Sequence, residues 1–470
     1  MTFDEIPGVE FYVVKNDRNT IFAKYEVSID EGVTIIKKLV DIKDPEFASF
    51  LRLVVLPNLT EKISVQEVIQ GITDYIAIYG CPDVIEPKVR TAGKLVDGTV
   101  EYALYNSRNE VVQIDSDGWR IVDEPQHNFR AIDTCAEQVK PVRTAQSLLK
   151  LVGKYINAGK KSIILVVVWL VQAFVEGNHS PLLLISGMGS GKSFLTKILR
   201  KIIDPSKMNV TMLNSRGDNL LTALTNSYLL ALDNTSALAP EESNVLCIAV
   251  TGGTYAKRQA YTTNTSVTYQ LHNTLILNGI DVIPEQSDFA QRCMMVKLEK
   301  LDEVKRKSET ELLEQFEADL PQILGAVFDI IVKAMNVIKD VKIGKKPRML
   351  DAYTEMVAIA VALGVSQEEF ERIYFQNIAA MDKARSNNDL IYAVREYMDT
   401  VTSRSVEGTV SEVFAKIYHS YSGNRSALPK SASQFSRKIN GEYAAFMAAG
   451  FIINLDDTYA DGTHVKIIKR

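Results

Sequence analysis

The stretch Leu182-Leu-Leu-Ile-Ser-Gly-Met-Gly-Ser-Gly-Lys-Ser-Phe-Leu195 decides how the chain is read. Leu182 to Ile185 is a short apolar run, the pattern of a buried parallel strand. Gly187, Gly189 and Gly191 follow at once. Lys192 and Ser193 then open a segment whose apolar residues Phe194, Leu195, Ile198, Leu199 and Ile202 share one helical face. Strand, glycine-rich turn and helix are the context of a phosphate-binding loop. The glycines let backbone N–H groups converge on phosphate oxygens, and the helix N-terminus adds its partial positive charge. Ser186, Gly187, Met188, Gly189, Ser190, Gly191, Lys192, Ser193 and Phe194 are therefore the expected nucleotide-binding residues. Lys192 would reach the β- and γ-phosphates of ATP, and the Ser193 hydroxyl would ligate Mg²⁺. One position departs: the pattern G-x-x-x-x-G-K-[ST] asks for glycine where Ser186 stands.

A magnesium nucleotide needs a second acidic contact. Tyr228-Leu-Leu-Ala-Leu-Asp233-Asn234 is an apolar run ending in an acid, 41 residues after Lys192. It reads as a buried strand with a carboxylate at its C-terminal end, where open α/β sheets place ligands. Asp233 is thus the second metal-site candidate, against the plainer reading of a turn acid. Residues 256–271 alternate, with Val267, Tyr269 and Leu271 on one side and turn chemistry at Thr263-Asn-Thr-Ser266, which predicts a β-hairpin. Thr274 to Asn278 is the next core strand. The Asn278 amide at its end would hydrogen-bond the γ-phosphate or position water, or serve only as a turn amide. Arg292 follows, placed for a neighbouring subunit's γ-phosphate or for a surface ion pair. Met294 to Leu298 is a further strand.

The rest of the chain frames this centre. Its 470 residues suit two to four domains. A hydrophobic share of 46% and a charged share of 24% are those of a soluble globular protein. The net charge is −5, so any nucleic-acid contact must come from local patches. Cys81, Cys135, Cys247 and Cys293 lie far apart, without metal-ligand spacing, which fits a reducing cytoplasm. The N-terminus shows no export signal, and the longest apolar run, Ile163 to Val175, is too short to span a bilayer. No membrane association is expected.

Residues 1–130 read as a small α+β domain, with a helix over 65–79 and strands at Thr99–Leu104, Glu110–Ile114 and Gly118–Val122. Residues 144–176 read as two helices, the first lined by Leu148, Leu149, Val152, Tyr155 and Ile156. The expected divisions are 1–130, an ATPase core over 131–310, a helical lid over 311–384, and 385–470. The linker Ala384-Arg-Ser-Asn-Asn388 would start the last domain. Three helices there and a hairpin, Phe451–Leu455 with Val465–Ile468, suggest a winged helix. Phe435, Ile439 and Phe446 would be its core, with Ser433, Gln434, Arg437 and Lys438 on the outer face. Lys430, Lys466, Lys469 and Arg470 would supply phosphate contacts. Residues 383–470 carry 12 basic and 9 acidic residues, a weak excess that fits a protein-docking module nearly as well.

P-loop, acid-ended strand, hairpin and Asn-ended strand, in that order, resemble the AAA+ ATPases of the superfamily III and MCM-like helicase branch. More narrowly, Leu230-Ala-Leu-Asp-Asn234, Thr251-Gly-Gly253, Leu275-Ile-Leu-Asn-Gly279, Asp288-Phe-Ala-Gln-Arg292, Pro347-Arg-Met349 and Leu428-Pro-Lys-Ser431 are similar to ATP-binding replication proteins of phages, plasmids and integrative elements, often encoded near primases. The resemblance covers about residues 65–470 and is strongest over 180–300. It implies an α/β P-loop AAA+ core with a helical lid and a C-terminal winged helix. It also implies a ring, usually hexameric, with ATP between subunits. Carried over, Lys192 and Ser193 would be Walker A, Asp233 Walker B, Asn278 sensor 1, Arg292 the arginine finger and Arg348 a sensor 2. The hairpin, with Lys257, Arg258, Thr263, Asn264 and Thr265, would touch DNA in the channel; Lys430, Gln434, Arg437 and Lys438 would do so from the winged helix. Asn234 stands where many AAA+ enzymes carry the water-orienting glutamate. It is a poor base, so hydrolysis would be slow or would use Glu241 or Glu242.

The implied activity is an ATP-dependent DNA helicase or replication-initiator ATPase, with a primase or other replication protein as a partner. The rivals are an ATPase that remodels or loads a partner protein, and a nucleotide-gated origin-binding factor that does not unwind.

Overall fold

The computed structural model describes the chain outside residues 1–5, 7, 16, 30–33, 59–62, 82, 133, 177–179, 208–210, 213–216, 236–237, 259–265, 280–286, 303–307, 424, 442, 460–461 and 470. It divides into two compact units, 1–282 with 292–374, and 283–291 with 375–470.

The first unit begins with a mixed sheet of order β3-β2-β1-β4. Here β1 is Val9–Val14, β2 Asp17–Ile29, β3 Thr34–Asp41 and β4 Val84–Ile85, with β4 parallel to β1. Helices α1 (Pro45–Phe50) and α2 (Val65–Tyr79) contribute to its core, where Phe11, Tyr25, Phe47, Val68 and Ile72 are buried. Ser64 and Glu67 close a capping box at the start of α2. That helix matches the expected range.

A second sheet follows, entirely antiparallel, of order β5-β6-β7-β8. Its strands are β5 (Thr91–Ala92), β6 (Thr99–Ala103), β7 (Val111–Asp115) and β8 (Gly118–Val122). Strands β6, β7 and β8 match the sequence reading; β5 is an addition to it. Residues 1–130 hold two sheets, and the second is packed against the core that follows. The Tyr102 ring lies 4.9 Å from Phe174 and 5.8 Å from Phe328, and the Trp119 ring 5.8 Å from Phe328. Tyr102 donates its hydroxyl to the Ile203 carbonyl at 3.0 Å, and the Trp119 indole donates to Asp329 at 2.8 Å. Aromatic residues that a sequence reading places inside a small domain are here the glue between layers.

The core is a mixed α/β layer on a five-stranded parallel sheet of order β10-β11-β14-β9-β15. Helices α3 (Leu148–Gly153) and α4 (Lys160–Gln172) lead into β9 (Leu182–Ser186) and α5 (Lys192–Ile203). The first helix is shorter than expected: Tyr155 and Ile156 are buried but lie beyond its end. Next come β10 (Thr211–Met212), α6 (Gly217–Thr225), β11 (Leu229–Asp233) and α7 (Pro240–Thr251). An antiparallel hairpin of β12 (Gly253–Arg258) and β13 (Ser266–Leu271) precedes β14 (Thr274–Asn278) and β15 (Cys293–Lys297); α8 (Ser287–Ala290), between those two strands in sequence, belongs to the second unit. Ser266 pairs with Arg258 inside the ladder, so it is a strand residue and not part of the turn.

Helices α9 (Glu309–Val337) and α10 (Leu350–Ala362) complete the first unit. Among the described residues α9 alone is long and apolar enough to cross a membrane; 61% of that apolar window is buried in the fold, the state of a core helix. At Gly325 the chain segment at Val142 crosses α9 so closely that a Cβ would meet the Val142 carbonyl oxygen at 2.0 Å.

The second unit holds most of α11 (Gln367–Thr400), then β16 (Ser405–Thr409), α12 (Val410–Ser420), α13 (Ala432–Gly441), α14 (Tyr443–Ala448), β17 (Phe451–Tyr459) and β18 (Gly462–Lys469). The sheet order is β16-β18-β17. Three expectations change. The linker at 384–388 is helical, because α11 runs through it. The third helix is two helices, α13 and α14. A third strand, β16, pairs with β18. Phe435, Ile439 and Phe446 are each 0% exposed and form the core as expected.

Candidate functional site

All five residues of β9 are buried, which fixes the loop that leaves its C-terminal end. Ser186 is still in the ladder: it pairs with Lys297, and its carbonyl accepts the Leu298 N–H at 2.9 Å. A strand position needs no glycine, so the departure from the loop pattern is tolerated by the backbone. Gly187 is different. Its φ is 125°, and a Cβ would lie 2.6 Å from the Leu298 carbonyl oxygen and 2.8 Å from Ser190 Oγ. Only glycine closes this turn. Gly191, at φ 85°, then starts α5, where Lys192 and Ser193 form the first turn. Met188 is exposed at the tip and Phe194 is half-buried.

The sheet carries the partners to this loop. Ser193 donates its hydroxyl to Asp233 Oδ1 at 3.1 Å, and the same oxygen accepts the Asn234 N–H at 2.9 Å. Lys192 Nζ donates to the Gly187 carbonyl. Asn278, 1% exposed at the end of β14, accepts the Asn234 N–H on Oδ1 at 3.0 Å and donates from Nδ2 to Thr196 Oγ1 at 2.8 Å. Asn234 is exposed and left-handed, φ 54°. Five predicted residues thus converge at one end of the sheet: Lys192, Ser193, Asp233, Asn234 and Asn278. The glycine-only turn and the paired hydroxyl and carboxylate are chemically compatible with a magnesium nucleotide, for which Ser193 and Asp233 would be the residues facing the ion. Of the substitute carboxylates, Glu242 accepts the Ala239 N–H at 2.8 Å as a cap of α7, while Glu241 is exposed.

Arg292 is elsewhere. Its carbonyl accepts the N–H of Leu182, the first residue of β9, at 2.9 Å. At ~3.3 Å per residue, the length of β9 puts Arg292 ~13 Å along the sheet from the loop. Arg348 lies with it. The two arginines, Thr251 and residues 349–352 line one cavity of about 220 Å³. Nothing in their 56-residue separation in sequence announces this meeting. One turn of α10 beyond Asp351, which lines the cavity, Glu355 is buried, and burial pushes its carboxyl up to about 8.

The predicted DNA-contacting residues are dispersed. Lys257 and Arg258 fall in β12; Thr263, Asn264 and Thr265 lie outside the described residues. On the hairpin Leu271 is buried while Thr254, Ala256, Thr268 and Gln270 are exposed. In the second unit Lys430, Gln434 and Arg437 are exposed and Lys438 is half-buried. Gln434 also has a structural task, since its Oε1 accepts the Lys430 N–H at 3.0 Å at the start of α13. Lys466 pairs with Glu407 across β18 and β16 at 2.6 Å, and Lys469 pairs with Asp399. These two lysines, expected to bind phosphate, are each paired with a carboxylate at the surface of the unit. Sequence reasoning missed Thr196, although its place one turn after Lys192 on the same helical face was a usable signal.

Residues 146–375 match the family of actinomycete integrative conjugative element replication proteins. The matched stretch is just under half of the chain and runs from before α3 into α11. It agrees, at that level, with the expectation of a mobile-element replication protein. No curated protein matches the chain. Among solved structures, the apo A form of the NrS-1 C-terminal region is 13% identical, with a TM-score of 0.38 over 98% of this chain and 96% of that one. A JCV helicase bound to a phenoxyphenyl acetamide is 12% identical, with a TM-score of 0.27 over 53% of this chain and 63% of that one.

Proposed function

We propose that the chain is an ATP-dependent DNA helicase or replication-initiator ATPase of a mobile genetic element, of the AAA+ superfamily III type. The observation that carries this reading is the Ser193–Asp233 contact of 3.1 Å beside a turn that only glycine can close. Lys192 would bind the β- and γ-phosphates, with Ser193 and Asp233 holding Mg²⁺. That ion supplies charge neutralisation at the phosphates. Arg292, ~13 Å from its own loop, and Arg348, which lines the same cavity, would serve the nucleotide of a neighbouring copy in a ring. The family match supports a role in replication. DNA would contact the β12–β13 hairpin and the α13 face. None of the four cysteines is in a disulfide, which suits a reducing cytoplasm.

A second reading has its own observation. Asn234, at φ 54°, stands where the resemblance would place a water-orienting carboxylate. A nucleotide-gated DNA-binding ATPase with negligible turnover would carry such a residue. Strand displacement on a forked duplex, beside native mass measurement of the assembly, separates the readings. We expect ATP-dependent displacement by a ring, lost when residues 263–266 are replaced by Gly-Gly. Unwinding by that variant at the parent rate would overturn translocation by the hairpin. Nucleotide-dependent DNA binding without turnover would favour the second reading.

A further inference from the structure

Asn278 has its side-chain amide clamped between two partners, Thr196 Oγ1 at 2.8 Å and the Asn234 N–H at 3.0 Å. Thr196 is fully buried and donates its own hydroxyl to the Lys192 carbonyl at 3.0 Å. A hydroxyl carries one hydrogen. With that hydrogen on the Lys192 carbonyl, Thr196 meets Asn278 only as an acceptor. The amide nitrogen must therefore face Thr196, and the amide oxygen must face Asn234. The orientation of an asparagine amide, which otherwise has two choices, is set by this one hydroxyl.

The consequence falls on Asn234. A left-handed asparagine costs about 1 kcal/mol and persists only where its surroundings hold it. Here Asn278 holds it twice: Oδ1 takes the Asn234 N–H, and the main-chain carbonyl takes the Thr235 N–H at 3.0 Å. The Asn234 N–H also lies against Asp233 Oδ1, the oxygen that accepts the Ser193 hydroxyl. A flipped amide would place an NH₂ group against the Asn234 N–H, two donors face to face.

We propose that Thr196 is a positioning residue for nucleotide hydrolysis: through Asn278 its hydroxyl holds Asn234 in place beside Asp233. The proposal rests on the hydrolase reading above. Its test uses the full chain with Thr196→Val, nearly the same shape without the hydroxyl, and Thr196→Ser, which restores it. Thr196→Ala carries the same expectation should the valine protein not fold. Amide-hydrogen exchange at Asn234 and Thr235, measured without nucleotide, should rise about tenfold in the valine variant and return toward the parent value in the serine variant. The turnover number should fall about tenfold while nucleotide affinity stays within about twofold, again recovered by serine. Unchanged exchange at Asn234 in the valine variant overturns the proposal, as does equal loss in the valine and serine variants. A parent protein without turnover overturns the hydrolase reading instead, and the exchange experiment still decides whether Thr196 sets Asn234.

Discussion

Arg90 Nε stands 2.9 Å from Asp204 Oδ1, with both side chains buried. Arg90 precedes β5, and Asp204 ends α5, the helix that begins at the Gly187–Gly191 turn. The other carboxylate oxygen of Asp204 accepts the N–H of Leu229, the first residue of β11. The Arg90 guanidinium also donates to the carbonyls of Ala103, Ala136 and Pro205. One ion pair thus ties the second sheet to the far ends of the helix and strand that deliver Lys192 and Asp233. Removing one partner of such a pair strands a buried charge. Arg90→Met should lower the unfolding free energy by about 3–5 kcal/mol, read as a lower urea midpoint. A midpoint equal to the parent's would show the pair to be dispensable.

Gly325 allows the segment at Val142 to lie on α9, with the Val142 N–H donating to the Pro321 carbonyl at 2.8 Å. Gly325→Ala places a methyl group where the carbonyl oxygen is. It should cost more than ~2 kcal/mol and expose Arg143 to trypsin faster than in the parent. Cleavage at the parent rate would mean that the segment is held by other contacts.

Glu355 makes stability depend on pH. Its carboxyl is raised by burial from 4.5 to about 8, with Asp351 and Asp97 adding to the rise and Lys94 opposing it. The folded state thus holds the proton more tightly than the unfolded chain. The contribution is complete below about pH 4.5 and is lost as pH rises through about 8. Stability should fall by up to ~1.4 kcal/mol per pH unit within that window. Glu355→Gln cannot ionise and should flatten the slope. Parallel pH profiles for the two proteins would rule out Glu355 as the source.

Arg292→Ala and Arg348→Ala should each leave ATP binding within a few-fold of the parent and reduce hydrolysis by about 10³-fold if the pair acts across an interface. Mixing either variant with Lys192→Ala chains should restore activity at interfaces that receive both intact halves. Mixed rings that stay inactive would count against the shared site.

The turn between β9 and α5 was legible because its pattern is local: strand, glycines, Lys192 and Ser193 are contiguous, and Asp233 and Asn278 each end an apolar run. Helix α2 was legible for the same reason, with its cap and its apolar face inside 16 residues. What the sequence hid is what long-range contact creates. Arg90 and Asp204 are 114 residues apart, and neither sits in a pattern that names the other. The strand Ser405-Val-Glu-Gly-Thr409 has one buried apolar residue, too little alternation to be seen, and forms because β18 offers it an edge. The residues at 384–388 looked like a linker by composition but are carried as helix between the apolar residues that flank them.

The attachment of the second sheet also says where this chain can be cut and spliced. Through Arg90, Tyr102 and Trp119 that sheet shares its interior with the layer built on the parallel sheet, so a foreign version would arrive without matching partners. The first sheet, residues 9–85, keeps its own interior of Phe11, Tyr25, Phe47 and Ile72. Recombination that exchanges front ends between related chains would leave a working molecule when the joint falls between Ile85 and Arg90, and a broken one when it falls at the end of β8. The heritable module is therefore shorter than the stretch of sequence that looks like a domain.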